Sequence, residues 1–97
     1  MDQSFLEFDW DSEKARINLR KHRVSFREAA MVFGDLLAIT YYDDAHSDHK
    51  RRFITIGMSD RGRVLVVSHT VERKQLRIIS ARKATRHERK VYEEESE

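Results

Sequence analysis

The chain has no cysteine. That excludes a disulfide framework, a zinc site built on thiolates and a thiol nucleophile. It has no apolar run approaching the roughly 18 residues that a membrane-spanning helix needs. Its first ten residues, MDQSFLEFDW, carry acids where a secretory signal would carry Lys or Arg. Glycine is scarce, three residues in isolation, so no glycine-rich loop is available to cradle a phosphate. Hydrophobic residues make up only 39% of the chain, below the usual range of about 45–50%. The core is therefore thin, but its residues are patterned rather than scattered, which excludes a fully disordered chain. The 97 residues bound a single domain, 1–97. Together these shortages predict a soluble cytoplasmic protein with no membrane association.

Charge is plentiful. The chain has 19 Lys and Arg against 17 Asp and Glu, a net charge of +2 that hides an asymmetry. Between Arg73 and Lys90 stand Arg73, Lys74, Arg77, Arg82, Lys83, Arg86, Arg89 and Lys90, with Glu88 the one acid. The tail beyond carries Glu93, Glu94, Glu95 and Glu97. A concentrated basic stretch on a weakly charged whole points to an anionic partner, nucleic acid first. The plainer alternative is a solvated helix face.

Leu6-Glu7-Phe8-Asp9-Trp10 alternates apolar and acidic residues, the period of a half-buried strand. Asp11 can cap a helix running to about His22. Ala15 and Leu19 mark its inner face, and Asn18 and His22 fall on the same stripe. Ser25-Phe26-Arg27-Glu28 reads as a capping box opening a second helix, with Phe26, Ala29, Ala30 and Phe33 inward and Gly34 ending it. Strands are predicted at Leu36–Tyr42, Arg52–Met58, Val64–Val71 and Gln75–Ser80, with a polar loop from Asp43 to Lys50. The connections among the last three are too short for crossovers, so they form an antiparallel meander. Thr85-Arg86-His87-Glu88 is a second capping box, opening a C-terminal helix that frays over residues 93–97. The order β-α-α-β-β-β-β-α predicts an α+β fold, a mostly antiparallel sheet with helices packed on one face.

His46 and His49 share a loop with Asp43, Asp44 and Asp48. Nothing in the pattern fixes them as ligands, so no metal and no cofactor is expected. His69 shares strand parity with Leu65 and Val67, and Arg77 shares parity with Ile79. Both displayed on one face of a hairpin, they would form a polar site; the plainer reading of His69 is a hydrogen-bonded core histidine. Arg86, Arg89 and Lys90 form a basic stripe, with Arg82 just before it. Arginine's planar fork suits phosphate, and the helix N-terminus near Thr85 adds free N–H groups, which together predict a phosphate corner. The residues from Asp11 to Phe33 superficially resemble a helix-turn-helix, but a second helix with Arg27 as its one base is too apolar to read DNA.

Phe8-Asp9-Trp10-Asp11, Asn18-Leu19-Arg20-Lys21-His22, Val24-Ser25-Phe26-Arg27-Glu28-Ala29-Ala30, Phe53-Ile54-Thr55-Ile56-Gly57 and Val66-Val67-Ser68-His69-Thr70 resemble segments of the BrnT family. So does the long segment from Arg77 to Arg89. The family is the toxin half of a bacterial type II toxin–antitoxin pair. The resemblance implies a RelE-like ribonuclease fold and a toxin that cleaves RNA and stops protein synthesis. It further implies a BrnA-type antitoxin with a ribbon-helix-helix domain, in a complex that represses its own promoter by binding operator DNA. The family's recurrent polar positions fall on Lys21, His22, His69, Arg77, Arg82 and Arg86. Two positions depart from the pattern. Arg23 stands where glycine is usual, at a cost of about 1 kcal/mol if its backbone is left-handed, and Leu36 stands where proline is common.

The expected activity is metal-independent endoribonuclease cleavage in which a 2′-hydroxyl attacks the adjacent phosphorus. Arg77 and Arg82 would stabilise the developing charge. His69 or His22 would move protons, and Lys21, Arg86 and Arg89 would hold RNA. The rival reading is a module that binds nucleic acid or a partner without cleaving anything.

Overall fold

The computed structural model describes residues 7–47 and 50–95. Leu6, His49 and the last two residues, on which some of the expectations above fall, lie outside them.

A short strand, β1 (Glu7–Asp9), leads into helix α1 (Ser12–His22). The Asp11 carboxylate accepts from the N–H groups of Glu13 and Lys14 at 2.8 and 3.1 Å, satisfying two donors that a helix start leaves free. Arg23 ends α1 in the left-handed region, φ 59°, donating its N–H to the Leu19 carbonyl. Helix α2 (Phe26–Met31) follows, capped by Ser25, and a 3-10 turn, Val32–Gly34, prolongs it. Then come β2 (Ile39–Tyr42), β3 (Arg52–Met58), β4 (Val64–Glu72), β5 (Gln75–Lys83) and α3 (Arg86–Glu95). Leu36 and Leu37 lie in a turn before β2, and α3 keeps Glu93, Glu94 and Glu95 helical where fraying was expected. Strand β5 runs three residues past Ser80, so Arg82 sits on the strand rather than after it.

The five strands form one sheet in the order β1-β5-β4-β3-β2. The pairs from β2 to β5 are antiparallel, and β1 joins β5 in parallel, with Asp9 opposite Arg77. Strand β1 pairs only as far as Arg77. Beyond it the Asn18 amide substitutes for a neighbouring strand. Its Nδ2 donates to the Ala81 carbonyl at 2.8 Å, and its Oδ1 accepts the Ala81 N–H at 3.1 Å. Nδ2 also donates to the Val24 carbonyl. This explains the polar residue that the stripe places inward on α1: Asn18 is buried as expected, whereas Leu19, expected on the same inner face, is half exposed.

The sheet has two unlike faces. Leu65, Val67, Leu76, Ile78 and Ala81 pack on one against Val24, Phe26, Ala29, Ala30 and Val32. Gly57 permits the close approach there, since a Cβ would lie 2.9 Å from that of Ala38 and 3.2 Å from that of Val32. Residues of the opposite parity, Ile56 and Val66, meet Ala84 and Tyr92 on the other face. Helix α3 therefore packs on the second face, which corrects the expectation of helices on one face. Its anchor is Tyr92, whose hydroxyl donates to Asp35 Oδ2 at 2.6 Å; that oxygen also accepts the Met58 N–H. Helix α3 covers one corner of this face, and the rest is open.

Candidate functional site

The open face is lined by β3, β4 and β5. Arg52 and Ile54 point the way Val66, Ser68 and Thr70 point, because Ile54 faces Ser68 and Arg52 faces Thr70. Thr70 in turn faces Arg77, and Val66 faces Arg82. A β-bulge shifts the register beside Ser68: Ser68 faces Ser80 but His69 faces Ile78, leaving Ile79 as the extra residue. Three shallow depressions that share lining residues lie along this surface. One, of about 360 Å³, is lined by Lys14, His46, Lys50, Arg52, Arg77 and Ile79 among others. A second, of about 300 Å³, shares His46 and Arg52 and adds Asp43, Ser80 and Arg82. The third, over the edge of β5, shares Lys14, Ile79 and Ser80 and adds Lys21 and His22. Among the described residues, six cationic side chains line these depressions, with Asp43 the single carboxylate.

Four of the site residues read from the sequence come together here: Lys21, His22, Arg77 and Arg82. His69 does not. It lies on the opposite face, 2% exposed, edge-on to Phe33 at 4.9 Å and stacked on Phe53 at 6.0 Å. Its Nε2 shares a 2.8 Å hydrogen bond with Thr55 Oγ1, and its Nδ1 has no partner. Burial pushes its pKa down to about 4. The expectation that His69 and Arg77 share a face is therefore corrected. The tight loop at Arg73-Lys74, with Arg73 at φ 59°, sets Thr70 rather than His69 opposite Arg77.

The phosphate corner is also corrected. The Glu88 carboxylate fills it, taking the Arg82 fork at 2.8 and 2.9 Å and the Thr85 N–H at 2.8 Å. The paired Arg82 guanidinium holds the Glu88 carboxyl well below the usual range, at about 2. Arg77 is paired with Asp9. Arg86 is exposed on the first turn of α3, and Arg89 donates back to the Ala84 carbonyl. Neither lines the groove.

Sequence reasoning missed Arg52, Lys14 and Lys50, and it considered His46 only as a metal ligand. Strand parity with Ile54 could have found Arg52; a loop offers no periodicity for His46. Glu28 was read as half of a capping box. Ser25 does accept the Glu28 N–H, but the buried carboxylate turns instead to Ser59 Oγ at 2.7 Å and to the Arg63 guanidinium. Among the described residues no three His, Cys, Asp or Glu side chains gather into a metal-binding group. No helix among them is long and apolar enough to cross a membrane.

The profile of the family described as the ribonuclease toxin BrnT of type II toxin–antitoxin systems matches residues 10–88. Among solved structures, the crystal structure of the Brucella abortus ribonuclease toxin BrnT superposes with a TM-score of 0.65 at 24% sequence identity. The match covers 84% of this chain and 99% of that one, and shows a common fold. No curated protein sequence matches the chain. The class is thus that of a ribonuclease toxin from a type II toxin–antitoxin system. Within that class the chain belongs to the BrnT family, as the motifs from Phe8 to Arg89 led one to expect.

Proposed function

We propose that the chain is a metal-independent endoribonuclease of the bacterial cytoplasm that holds RNA in the open groove and stops protein synthesis by cleaving it. The observation that carries this reading is the uncovered sheet face on which Arg52, Arg77 and Arg82 converge with Lys14, Lys21 and Lys50. A phosphodiester backbone entering it meets a lining in which cations outnumber carboxylates, above a low-dielectric sheet. The attacking 2′-oxygen adds charge at phosphorus. Arg52 can stabilise that charge directly, and Arg77 and Arg82 do so as the phosphate competes with Asp9 and Glu88 for their guanidinium groups; such electrostatic stabilisation is usually the largest single contribution in a site of this kind. His22, on the rim, moves a proton; Lys21, Arg86 and Arg89 extend the contact to flanking phosphates. We assign no proton transfer to His69, whose ring is enclosed on the far face. The natural partner is a BrnA-type antitoxin with a ribbon-helix-helix domain, and their complex represses its own promoter on operator DNA.

Incubating the purified chain with single-stranded RNA in excess EDTA tests the mechanism. Cleavage should persist, with products ending in 2′,3′-cyclic phosphate, and a 2′-deoxy nucleotide at the cut should block it. Loss on chelation with restoration by one divalent ion would overturn metal independence. One observation favours the rival binding module: Arg77 and Arg82 already hold acidic partners. Arg82→Ala separates the two. An enzyme loses turnover more than affinity, and a binder loses affinity and part of its salt slope.

A further inference from the structure

We infer that His46, held by Asp43, is the general base that takes the 2′-hydroxyl proton. The inference rests on the ribonuclease reading of the groove and deepens it.

The turn over residues 43–47 that carries His46 is closed by hydrogen bonds. Asp43 N–H donates to the Arg52 carbonyl at 2.8 Å, continuing the β2–β3 ladder by one step. Ser47 Oγ then donates to the Asp43 carbonyl at 2.8 Å and accepts the Arg52 N–H at 3.0 Å, closing the turn over residues 43–47. Within it a 3-10 turn, Asp44–His46, brings the imidazole back over the Asp43 side chain. His46 Nδ1 lies 3.0 and 3.2 Å from the two carboxylate oxygens. The Asp43 side chain is 12% exposed and that of His46 68%. A nearly buried carboxylate therefore grips one nitrogen of an accessible ring.

Such a grip has a chemical consequence. A carboxylate accepts only, so in the neutral ring the proton sits on Nδ1 and Nε2 carries the lone pair. Asp43 fixes the ring's orientation and leaves Nε2 turned away from the carboxylate. His46 lines two of the three depressions, beside Arg52 in both, with Arg77 in one and Arg82 in the other. A phosphate bound by these arginines puts its neighbouring ribose within the same groove. The 2′-hydroxyl proton passes to Nε2, the 2′-oxygen–phosphorus bond forms and the bond from phosphorus to the 5′-oxygen breaks. The departing oxygen takes a proton from His22, whose depression meets that of His46 at Ser80. The products are a 2′,3′-cyclic phosphate and a 5′-hydroxyl, and the histidines exchange their protons back through water. Asp43 is a positioning residue.

The experiment uses the full chain and an end-labelled single-stranded RNA that the wild type cleaves. His46→Ala should lower kcat by about 10²-fold or more, the usual contribution of a positioned base. Its RNA affinity should stay within about twofold, because the groove's arginines and lysines supply the phosphate contacts. Added imidazole should restore part of the rate, which loss of a merely structural side chain does not allow. Asp43→Asn should lower kcat by about tenfold with KM unchanged, as expected where an orienting group rather than a contact is lost. Full activity in His46→Ala, or lost affinity with kcat intact, would overturn the assignment while leaving the ribonuclease reading standing. A wild-type chain that cleaves no RNA, with or without ribosomes, overturns both.

Discussion

Between Phe33 and Phe53, the His69 ring has one hydrogen bond and an unpartnered nitrogen. Its folded pKa, about 4, is below the ordinary 6.5, so in acid the unfolded chain takes up this proton first. The stabilisation is complete above pH 6.5. It falls by about 1.4 kcal/mol per pH unit as acid is added, and levels off below about pH 4. Urea midpoints at pH 7 and pH 5 should therefore differ in the wild type and differ less in His69→Leu. Equal pH dependence in both would mean that another group dominates acid sensitivity. Glu28 poses the same problem with opposite charge. The Arg63 guanidinium holds its carboxyl below the usual range, and its side chain is 4% exposed. Arg63→Ala strands that charge and should cost about 3 kcal/mol or more, while Glu28→Gln should cost less; denaturant unfolding of both variants checks the order. These pairings were not legible in the sequence. Glu28 and Arg63 are 35 residues apart, and no periodicity connects Arg82 to a Glu88 reached around a strand-to-helix corner. Arg77, Arg82, Lys21 and His22 were legible, because charge density and recurrent polar positions select them directly.

At the scale of elements, what was legible followed period and capping. The interior of each strand and the starts of all three helices fall where alternation and the Asp11, Ser25 and Thr85 caps put them. What was not legible is the relation between elements. A one-residue bulge and a two-residue loop decide which parity faces which, and neither leaves a mark in hydrophobic alternation. The β5 edge is the sharpest case, since nothing in the segment around Asn18 announces that its amide stands in for a strand. Asn18→Ala removes one donor and one acceptor from Ala81 and should cost about 2–4 kcal/mol, as for buried backbone groups left unpaired. Asn18→Asp should be at least as harmful, because a carboxylate would face the Ala81 and Val24 carbonyls. A thermal melt of each variant decides it; an unchanged midpoint in Asn18→Ala would mean that water pairs the edge equally well. Arg23→Gly works in the other direction. At φ 59° the arginine is strained, and glycine should raise stability by about 1 kcal/mol. Arg63 bonds the Arg23 carbonyl, so that contact survives the change.

Over the whole molecule, one face of the sheet packs against α1 and α2 and the other carries cations; if that second face is where RNA is cut, an antitoxin is expected to cover it. A bound antitoxin should therefore slow amide exchange within Arg77–Arg89. No protection there on adding the antitoxin would mean that inhibition acts from a distance. Helix α3 already shelters one corner of this face, so protection should be graded, smaller near Tyr92 and larger toward Arg77.

The parallel pairing of β1 with β5 also carries a clock. Glu7 through Asp9 must wait for Gln75 through Arg77, partners 68 positions away. Contacts of such separation form late and slowly. A ribosome making the chain has released nearly all of it before the first strand finds its neighbour, and Arg77 and Arg82 emerge late as well. Early nascent chains thus hold no finished groove. A message broken midway yields a fragment missing the strand that organises the basic face. A fragment that ends before Gln75 has no partner for β1 and lacks both Arg77 and Arg82, so it should cleave no RNA.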